Sequence, residues 1–285
     1  METKVTTSTK EVIISYDKPT VIIGERINPT GRKKLTAMFK EGDLSMLEKE
    51  AKEQTAAGAA ILDCNVNAPG VDDKKLLPEA IKLIQSYVDT PLCIDSPNID
   101  ALEAGLKVYK GKALLNSVSG ETHSLERVLP LVKEYGAAVI GLAQDDDGIP
   151  KTADKRVAVA YKIVEAADKI GIPKEDIIID VMTYSIGAEA KSGRDVLEAL
   201  YRIRTELGLN MTMGASNISF GMADRPLLNA AWMSMVIFAG GTALIADARK
   251  IMPTVLAADL VLGRDRFARR YLEGYRKREA AKAEA

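Results

Sequence analysis

The sequence is poor in the residues that most often build nucleophilic and zinc sites. It has one histidine, His123, and two cysteines, Cys64 and Cys93, in 285 residues. The cysteines do not have the spacing of zinc ligands, so a structural or catalytic zinc site is disfavoured. No Ser-His or Cys-His pair is evident either. We interpret the cysteines as buried free thiols of a reduced, cytoplasmic protein.

An excess of charge of one sign is also absent, as is any long apolar run. Lys and Arg total 39 and Asp and Glu total 40, so the net charge of −1 offers no basic field for nucleic acid or an anionic membrane. The longest apolar stretch, 230–239, is too short to span a bilayer, and residues 1–10 are polar and lack a signal region. We therefore expect a soluble protein without nucleic-acid or membrane partners.

Short apolar runs that end at a carboxylate or an amide are the main positive feature. Eight occur, separated by longer segments with helical periodicity, and such runs are typical of buried parallel strands. They lie at 21–24, 59–62, 92–94, 113–115, 138–142, 177–179, 211–214 and 243–245. The helices are predicted at 44–57, 78–88, 99–109, 125–135, 153–169, 195–207, 226–239 and from about 253 to 277.

Eight repeats of strand and helix predict an α/β fold, a single (β/α)8 TIM barrel. An open doubly wound sheet is the alternative, but the first strand is not followed by a dinucleotide-binding glycine pattern at 24–29. We assign residues 1–18 to an N-terminal extension whose strand at 12–14 covers the closed end. Residues 19–270 form the barrel, and residues 271–285 form a charged C-terminal tail.

Because barrel active sites lie where the strands end, the terminal polar residues should meet at one mouth. They are Glu25, Asp63, Asn65, Asp95, Asn116, Gln144, Asp180, Asn217 and Asp247. About half of such residues, taken singly, would be helix caps or turn residues. Together they favour a cation or a donor-rich ligand, because crowded carboxylates otherwise repel. We interpret His123, just beyond the fourth strand, as an exposed loop residue in preference to an acid or base.

The mixture of carboxylates and amides fits a heterocycle better than a metal. Magnesium would bring substrate phosphates, for which no site is evident. A pterin presents a ring N–H and an amino group side by side, and one carboxylate can accept both. We therefore expect no intrinsic metal.

Seven motifs carry a resemblance to a known family. In chain order they are 24–28 (GERIN), 62–66 (LDCNV), 93–96 (CIDS), 115–117 (LNS), 179–180 (ID), 214–219 (GASNIS) and 225–229 (RPLLN). Each motif is weak by itself, but the ordered set, spanning about residues 20–265, resembles the pterin-binding methyltransferases. It is most similar to methyltetrahydrofolate:corrinoid protein methyltransferases.

The resemblance implies a pterin-binding TIM barrel, a homodimer, and methyl transfer between N5 of tetrahydrofolate and the cobalt of a corrinoid (cobalamin) carried by a partner protein. It implies that Asp95, Asn116 and Asp180 bind the pterin, that Asn217 is catalytic at N5, and that Glu25 and Arg225 contact the folate. The direction of transfer, the corrinoid partner and the roles of Asp63, Asn65, Gln144 and Asp247 stay open.

Two other functions are compatible with these residues. A dihydropteroate synthase would share the barrel and the pterin pocket, but it would need Mg²⁺ and a basic phosphate clamp. A folate-binding subunit without catalysis would bind the pterin and transfer no methyl group.

Overall fold

The computed structural model describes residues 1–283 as a two-stranded hairpin followed by eight parallel strands that alternate with helices. The hairpin consists of β1 (Thr3–Thr6) and β2 (Glu11–Ile14). The parallel strands are β3 (Val21–Ile27), β4 (Ile61–Cys64), β5 (Leu92–Asp95), β6 (Leu114–Ser119), β7 (Ala138–Leu142), β8 (Ile177–Asp180), β9 (Asn210–Thr212) and β10 (Ala243–Ala246).

Ten α-helices are present in the described residues. They are α1 (Lys33–Lys40), α2 (Met46–Ala56), α3 (Asp73–Tyr87), α4 (Ile99–Val108), α5 (Thr122–Tyr135), α6 (Ala153–Lys169), α7 (Ser192–Arg202), α8 (Arg225–Ala239), α9 (Ala248–Val261) and α10 (Arg269–Ala283). A π-helical turn at Ile203–Leu207 prolongs α7.

The sheet closes on itself, so the predicted barrel is confirmed and the open sheet is excluded. The strands follow the order β10-β3-β4-β5-β6-β7-β8-β9. Between β9 and β10, backbone N–H groups of Thr242 and Ile245 donate to the carbonyls of Met211 and Met213 at 3.0 and 2.9 Å. All eight apolar runs of the sequence become barrel strands.

The alternation of side chains along each strand divides the core into two parts. Inward-facing residues such as Ile23, Ile61, Cys93 and Ile178 fill the barrel. The residues between them face outward and pack against the helices in a larger cluster. Both cysteines are buried and unpaired, as expected.

The N-terminal hairpin covers the amino-terminal end of the barrel. Val5, Val12 and Ile14 pack on the inward-facing residues, so the strand expected at 12–14 is present. The amide Nδ2 of Asn210 donates to Thr3 Oγ1 at 3.0 Å and to the Ile14 carbonyl at 2.8 Å. Because these bonds satisfy the buried amide, the hairpin is held in a defined position.

The helix predictions were wrong at two places, and the helix predicted at 78–88 begins five residues earlier, at Asp73. Helix α1 was not predicted, although Leu35 and Phe39 anchor it in the core. The helix expected from 253 to 277 begins at Ala248, because Asp247 caps it, and it is interrupted at Gly263, whose φ of +73° is typical of a left-handed helix end. Residues 271–283 of the expected tail are helical, and residues 284 and 285 lie outside the described part.

Helix α8 is unusually apolar for a helix on the outside of a barrel. After Arg225 it has no charged residue. Its outward face, which we call the α8 stripe, consists of Leu227, Ala231, Met235 and Phe238, all exposed. No helix within residues 1–283 is long and apolar enough to cross a membrane.

The hairpin should contribute measurably to stability. Replacing Ile14, which is fully buried, by Ala should lower the free energy of unfolding by about 2–5 kcal/mol, because it leaves a cavity at the closed end. Replacing its neighbour Ile13, which is only partly buried, is the matched control. Equal losses for the two variants in urea unfolding would show that the hairpin does not plug the barrel.

Candidate active site

A layer of polar side chains lies directly above the apolar filling of the barrel. Strand alternation continues the inward positions from Ile61 to Asp63, from Cys93 to Asp95 and from Ile178 to Asp180. Asp95 pairs in register with Asn116 on the adjacent strand. The carboxyl ends of the strands therefore bring together the predicted site residues of β5, β6 and β8.

Asp95 is held in position by an amide from the neighbouring strand end. Asn65 Nδ2 donates to Asp95 Oδ2 at 2.8 Å, which gives Asn65 a role that sequence reasoning left open. The other oxygen of Asp95 has no hydrogen-bond partner in residues 1–283. Burial raises the pKa of Asp95 to about 6, although the bond from Asn65 opposes this shift.

Asp63 lies deeper and is almost fully buried. Burial, followed by the charge of Asp95, raises its pKa well above the ordinary range. Asn28 Nδ2 donates to Oδ2 at 3.4 Å, whereas Oδ1 is buried without a partner among the described residues. Burial therefore favours the neutral form of Asp63, which lies below the candidate site.

Asp180 is also buried, with a single hydrogen bond from the protein. Its Oδ1 accepts from the Met182 backbone N–H at 2.8 Å. Burial raises its pKa to about 7, and the bond from Met182 only partly offsets this. No cation compensates the carboxylate within hydrogen-bond distance in residues 1–283, so the site carries an acceptor that a ligand can satisfy.

Asn217 occupies a short 3₁₀ turn, Asn217–Ser219, after β9. Its side chain is exposed and makes no hydrogen bond within the described residues. A Cβ on Gly214 would lie 2.6 Å from Asn217 Nδ2, so glycine makes room for this amide. Arg225 supports the turn, because its Nε donates to Ser219 Oγ at 3.1 Å and its Nη2 to the Ser216 carbonyl at 3.0 Å.

Glu25 lies near the carboxyl end of β3, three strands from Asn116 on β6. Burial, then the charge of Asp247, raises its pKa to about 7. Asp247 caps α9 and accepts hydrogen bonds from Gln54 at 2.8 Å and from Arg249 at 3.1 Å. It therefore has the helix-cap role that the sequence allowed for any single Asp.

Gln144 follows β7 and His123 follows β6, and both line a cavity of about 230 Å³. Gln144 Nε2 donates weakly to Glu121 at 3.4 Å. His123 is exposed in the first turn of α5. Among the described residues, neither side chain is hydrogen-bonded to Asp95, Asn116 or Asp180.

Sequence reasoning missed Thr212 and Arg26. Thr212 lies in β9, and its Oγ1 is buried without a partner in residues 1–283. The alternation between the core residues Met211 and Met213 was the available signal. Arg26 Nε approaches Glu50 at 3.6 Å and Asp247 at 3.9 Å, contacts between distant segments that no sequence pattern indicates.

The site presents acceptors in excess of donors. Asp95 and Asp180 each keep one oxygen without a protein partner, and Asn116 adds an amide beside Asp95. Within residues 1–283 no three His, Cys, Asp or Glu side chains converge as metal ligands would. A ligand with adjacent N–H donors matches these oxygens.

The unpaired Asp180 carboxylate should cost stability at neutral pH. Its pKa is higher in the folded than in the unfolded chain, so its contribution falls as the pH rises from about 4 to about 7. Asp180→Asn should raise the free energy of unfolding by about 2–4 kcal/mol at pH 8, and the gain should vanish near pH 4. Urea unfolding of the variant and of the unaltered protein at both pH values measures this difference in the free energy of unfolding.

The control is Asp176→Asn at a buried, paired aspartate. Asp176 accepts from Lys112 Nζ at 2.5 Å, so its loss should destabilise the protein at pH 8. If Asp180→Asn also lost stability at pH 8, the prediction would be wrong. The Asp180 carboxylate would then stabilise the folded protein instead of destabilising it.

Two kinds of curated protein are similar to this chain. A methylcorrinoid:tetrahydrofolate methyltransferase from Eubacterium limosum is 32% identical over 265 residues, covering 90% of this chain and 96% of that protein. A methionine synthase from Mycobacterium tuberculosis is 32% identical over 253 residues, which cover 84% of this chain but only 21% of the synthase.

Solved structures share the fold at lower identity. A 7,8-dihydropteroate synthase from Vibrio fischeri superposes with a TM-score of 0.69 at 19% identity, covering 91% of this chain and 98% of that one. A dihydropteroate synthase from Xanthomonas albilineans in complex with 7,8-dihydropteroate has a TM-score of 0.64 at 17% identity, with the same coverage.

The sequence model described as "Pterin binding enzyme" matches residues 24–247. This range runs from Gly24, within β3, to Asp247 and contains every strand-end residue described above. The match and the E. limosum relative confirm the resemblance seen in the motifs. The chain belongs to the pterin binding enzyme family.

Proposed function

We propose that this protein transfers a methyl group between N5 of tetrahydrofolate and the cobalt of a corrinoid that a separate protein carries. The observation that carries the proposal is the set of unsatisfied acceptors on Asp95 and Asp180 facing the mouth beside Asn116. A full-length relative named for this activity supports it. Both reactants are substrates, and we expect no metal bound to the barrel itself.

Asp95, Asn116 and Asp180 bind the pyrimidine edge of the pterin in this proposal. The edge offers an N–H and an amino group as donors and a carbonyl as acceptor. The free oxygens of the two carboxylates accept the donors, and the amide of Asn116 can serve either kind of group. Binding ionises carboxyl groups that burial had kept partly protonated, so affinity should rise with pH between about 6 and 7.

In this proposal Asn217 forms a hydrogen bond with N5, the nitrogen that carries the methyl group. A tertiary amine is a poor leaving group until N5 is protonated or strongly hydrogen-bonded. An amide is not acidic, but it can donate to neutral N5 or accept from protonated N5. Asn217 is suited to this role because its side chain is exposed and uncommitted. Most of the rate gain then comes from holding the methyl carbon in line with the cobalt.

The same arrangement catalyses transfer in both directions. The E. limosum relative is named for transfer from methylcorrinoid to tetrahydrofolate. A dihydropteroate synthase reaction has less support, because those enzymes are only 17–19% identical to this chain. A likeness at that level shows a shared fold and not a shared reaction. Their late Lys and Ser-Arg signatures are not evident after Asn217.

We further propose a cytoplasmic homodimer formed through the α8 stripe. Leu227 and Phe238 are each 67% exposed on a face without charge. Contiguous exposed apolar surface of this kind marks an interaction site, and an uncharged face can pack on its own copy without opposing like charges. The buried, unpaired thiols of Cys64 and Cys93 support a reducing compartment.

Replacing Asn217 by Ala should slow methyl transfer about 100-fold or more, the cost of removing one hydrogen bond to the reacting group. Single-turnover mixing with methyltetrahydrofolate and Co(I) cobalamin, followed by absorbance of the methylated product, measures the rate. Urea unfolding should be unchanged, because this side chain makes no hydrogen bond in the described residues. An unchanged transfer rate would contradict the role, and pterin binding without any transfer by the unaltered protein would indicate a non-catalytic subunit.

Replacing Phe238 by Glu should convert the dimer to a monomer, because a charge at the centre of an apolar interface is left without a partner. Light scattering coupled to gel filtration gives the mass. Val261→Glu is the control, since Val261 is 85% exposed but lies on α9 outside the α8 stripe. A monomeric unaltered protein at micromolar concentration, or a dimeric Phe238→Glu variant, would rule out this interface.

A further inference from the structure

Thr212, the last residue of β9, carries a buried hydroxyl that the fold itself does not use. Its side chain is almost fully buried, and Oγ1 has no hydrogen-bond partner in residues 1–283. The hydroxyl of Thr242, just before the adjacent strand β10, is by contrast satisfied, because it donates to the Met211 carbonyl at 3.1 Å and accepts from the Met211 N–H at 3.0 Å. A buried polar atom without a partner costs stability, so the Thr212 hydroxyl needs an explanation.

The alternation of β9 turns Thr212 toward the inside of the barrel. Met211 and Met213 belong to the outer cluster that packs against the helices, whereas Asn210 reaches the N-terminal hairpin inside the barrel. Thr212 therefore shares the inward face with Asn210. It pairs in register with Asp180 on β8, and adjacent strands lie about 4.8 Å apart. The hydroxyl and the Asp180 carboxylate are neighbours in the polar layer of the mouth.

Asp180 and Thr212 each have an unused atom in this layer. Asp180 Oδ1 accepts from the Met182 N–H, while Oδ2 has no hydrogen bond from residues 1–283, including one from Thr212. An ionised carboxylate can only accept a hydrogen bond, whereas a hydroxyl can also donate one. A ligand edge that presents a donor beside an acceptor satisfies both atoms. The N–H and C=O groups of a lactam have this arrangement.

The amide of Asn217 lies above Thr212. Gly214 is the next inward position after Thr212, and it is bridged to Ile245 on β10. A Cβ on Gly214 would lie 2.6 Å from Asn217 Nδ2, so the amide of Asn217 occupies the space that a side chain at 214 would fill. Because this amide makes no hydrogen bond among the described residues, it can turn toward a ligand and uncover the hydroxyl below.

Three protein groups thus follow one another around the mouth in the order carboxylate, hydroxyl and amide. The substrate of the proposed reaction has three matching atoms in sequence on one side of its fused rings. N3–H is a donor, the C4 carbonyl oxygen beside it is an acceptor, and N5 lies next to that oxygen in the peri position. The order of the protein groups therefore matches the order of the ligand atoms.

We propose that Thr212 Oγ1 donates a hydrogen bond to the C4 carbonyl oxygen of the pterin, between Asp180 at N3–H and Asn217 at N5. This inference rests on the proposed function. The bond makes Thr212 a positioning residue, because it fixes the rotation of the pterin within its own plane and hence the direction in which the methyl group on N5 points. It also favours 4-oxo pterins, since a ring with only hydrogen at C4 would leave the buried hydroxyl without a partner.

The first test is the affinity of Thr212→Val for 5-methyltetrahydrofolate, measured by titration calorimetry. Valine has nearly the shape of threonine but no hydroxyl, so the dissociation constant should rise about fivefold, the net value of one hydrogen bond between neutral groups. Thr212→Ser keeps the hydroxyl and should bind more tightly than Thr212→Val. In urea unfolding without ligand, Thr212→Val should be at least as stable as the unaltered protein, because it removes a buried hydroxyl that has no partner.

Thr242→Val is the matched control, with the opposite expected result. This variant also removes a buried threonine hydroxyl, but one that is bonded to the Met211 backbone. It should unfold at a lower urea concentration than the unaltered protein and bind 5-methyltetrahydrofolate with unchanged affinity.

The second test locates the bond on the ligand by infrared spectroscopy of bound 5-methyltetrahydrofolate labelled with ¹³C at C4. A donated hydrogen bond weakens the carbonyl double bond and lowers its stretching frequency. The frequency should therefore be higher in Thr212→Val than in the unaltered protein, and it should be unchanged in Thr242→Val. A purely structural role of Thr212 would not move this signal.

An unchanged affinity or an unchanged carbonyl frequency in Thr212→Val would overturn the proposal. A loss of stability in Thr212→Val as large as that in Thr242→Val would also overturn it, because the hydroxyl would then already have a partner in the folded protein. Failure of the proposed function would look different, since the unaltered protein would then not bind 5-methyltetrahydrofolate, or would bind it without methylating Co(I) cobalamin.

Discussion

The site depends on one constraint, the strict alternation of side chains in parallel strands that close into a barrel. Because successive inward positions stack in layers, the polar residue that follows each apolar inward residue must lie at the mouth. Asp63, Asp95 and Asp180 consequently lie in or directly above an apolar core, where water cannot fully solvate them. Their raised pKa values follow from that position.

The alternation also explains how far the sequence could predict the fold. All eight strands were found because each is a short apolar run bounded by turn residues, and the barrel followed from their repetition. Helix α1 was missed because only Leu35 and Phe39 anchor it. The interruption between α9 and α10 was missed because helical periodicity continues on both sides of Gly263.

The residues of the candidate site could be predicted from the sequence, but their hydrogen-bond partners could not. Which residues terminate the strands can be read from the sequence, whereas the bond from Asn65 to Asp95 depends on the register of adjacent strands. The role of Asp247 as a cap bound to Gln54 joins segments 193 residues apart. Thr212 was overlooked because its methionine neighbours dominated the interpretation of that strand.

The site and the fold have opposing requirements. A carboxylate such as Asp180, buried with one hydrogen bond, lowers stability at neutral pH while remaining available to a ligand. By contrast, Asp259 is fully buried and accepts from the Thr20 backbone N–H at 2.9 Å and its hydroxyl at 2.7 Å. The protein thus saturates a structural carboxylate such as Asp259 and leaves Asp95 and Asp180 at the mouth with one oxygen each unpaired among residues 1–283.

The hairpin at the opposite end of the barrel has a kinetic consequence. Val5, Val12 and Ile14 seal that end, so the barrel interior has a single entrance. In the proposed reaction the folate and the corrinoid protein must both use it. A docked corrinoid protein would cover a pterin already seated below, so the folate must bind first, and it cannot leave until its macromolecular partner has departed.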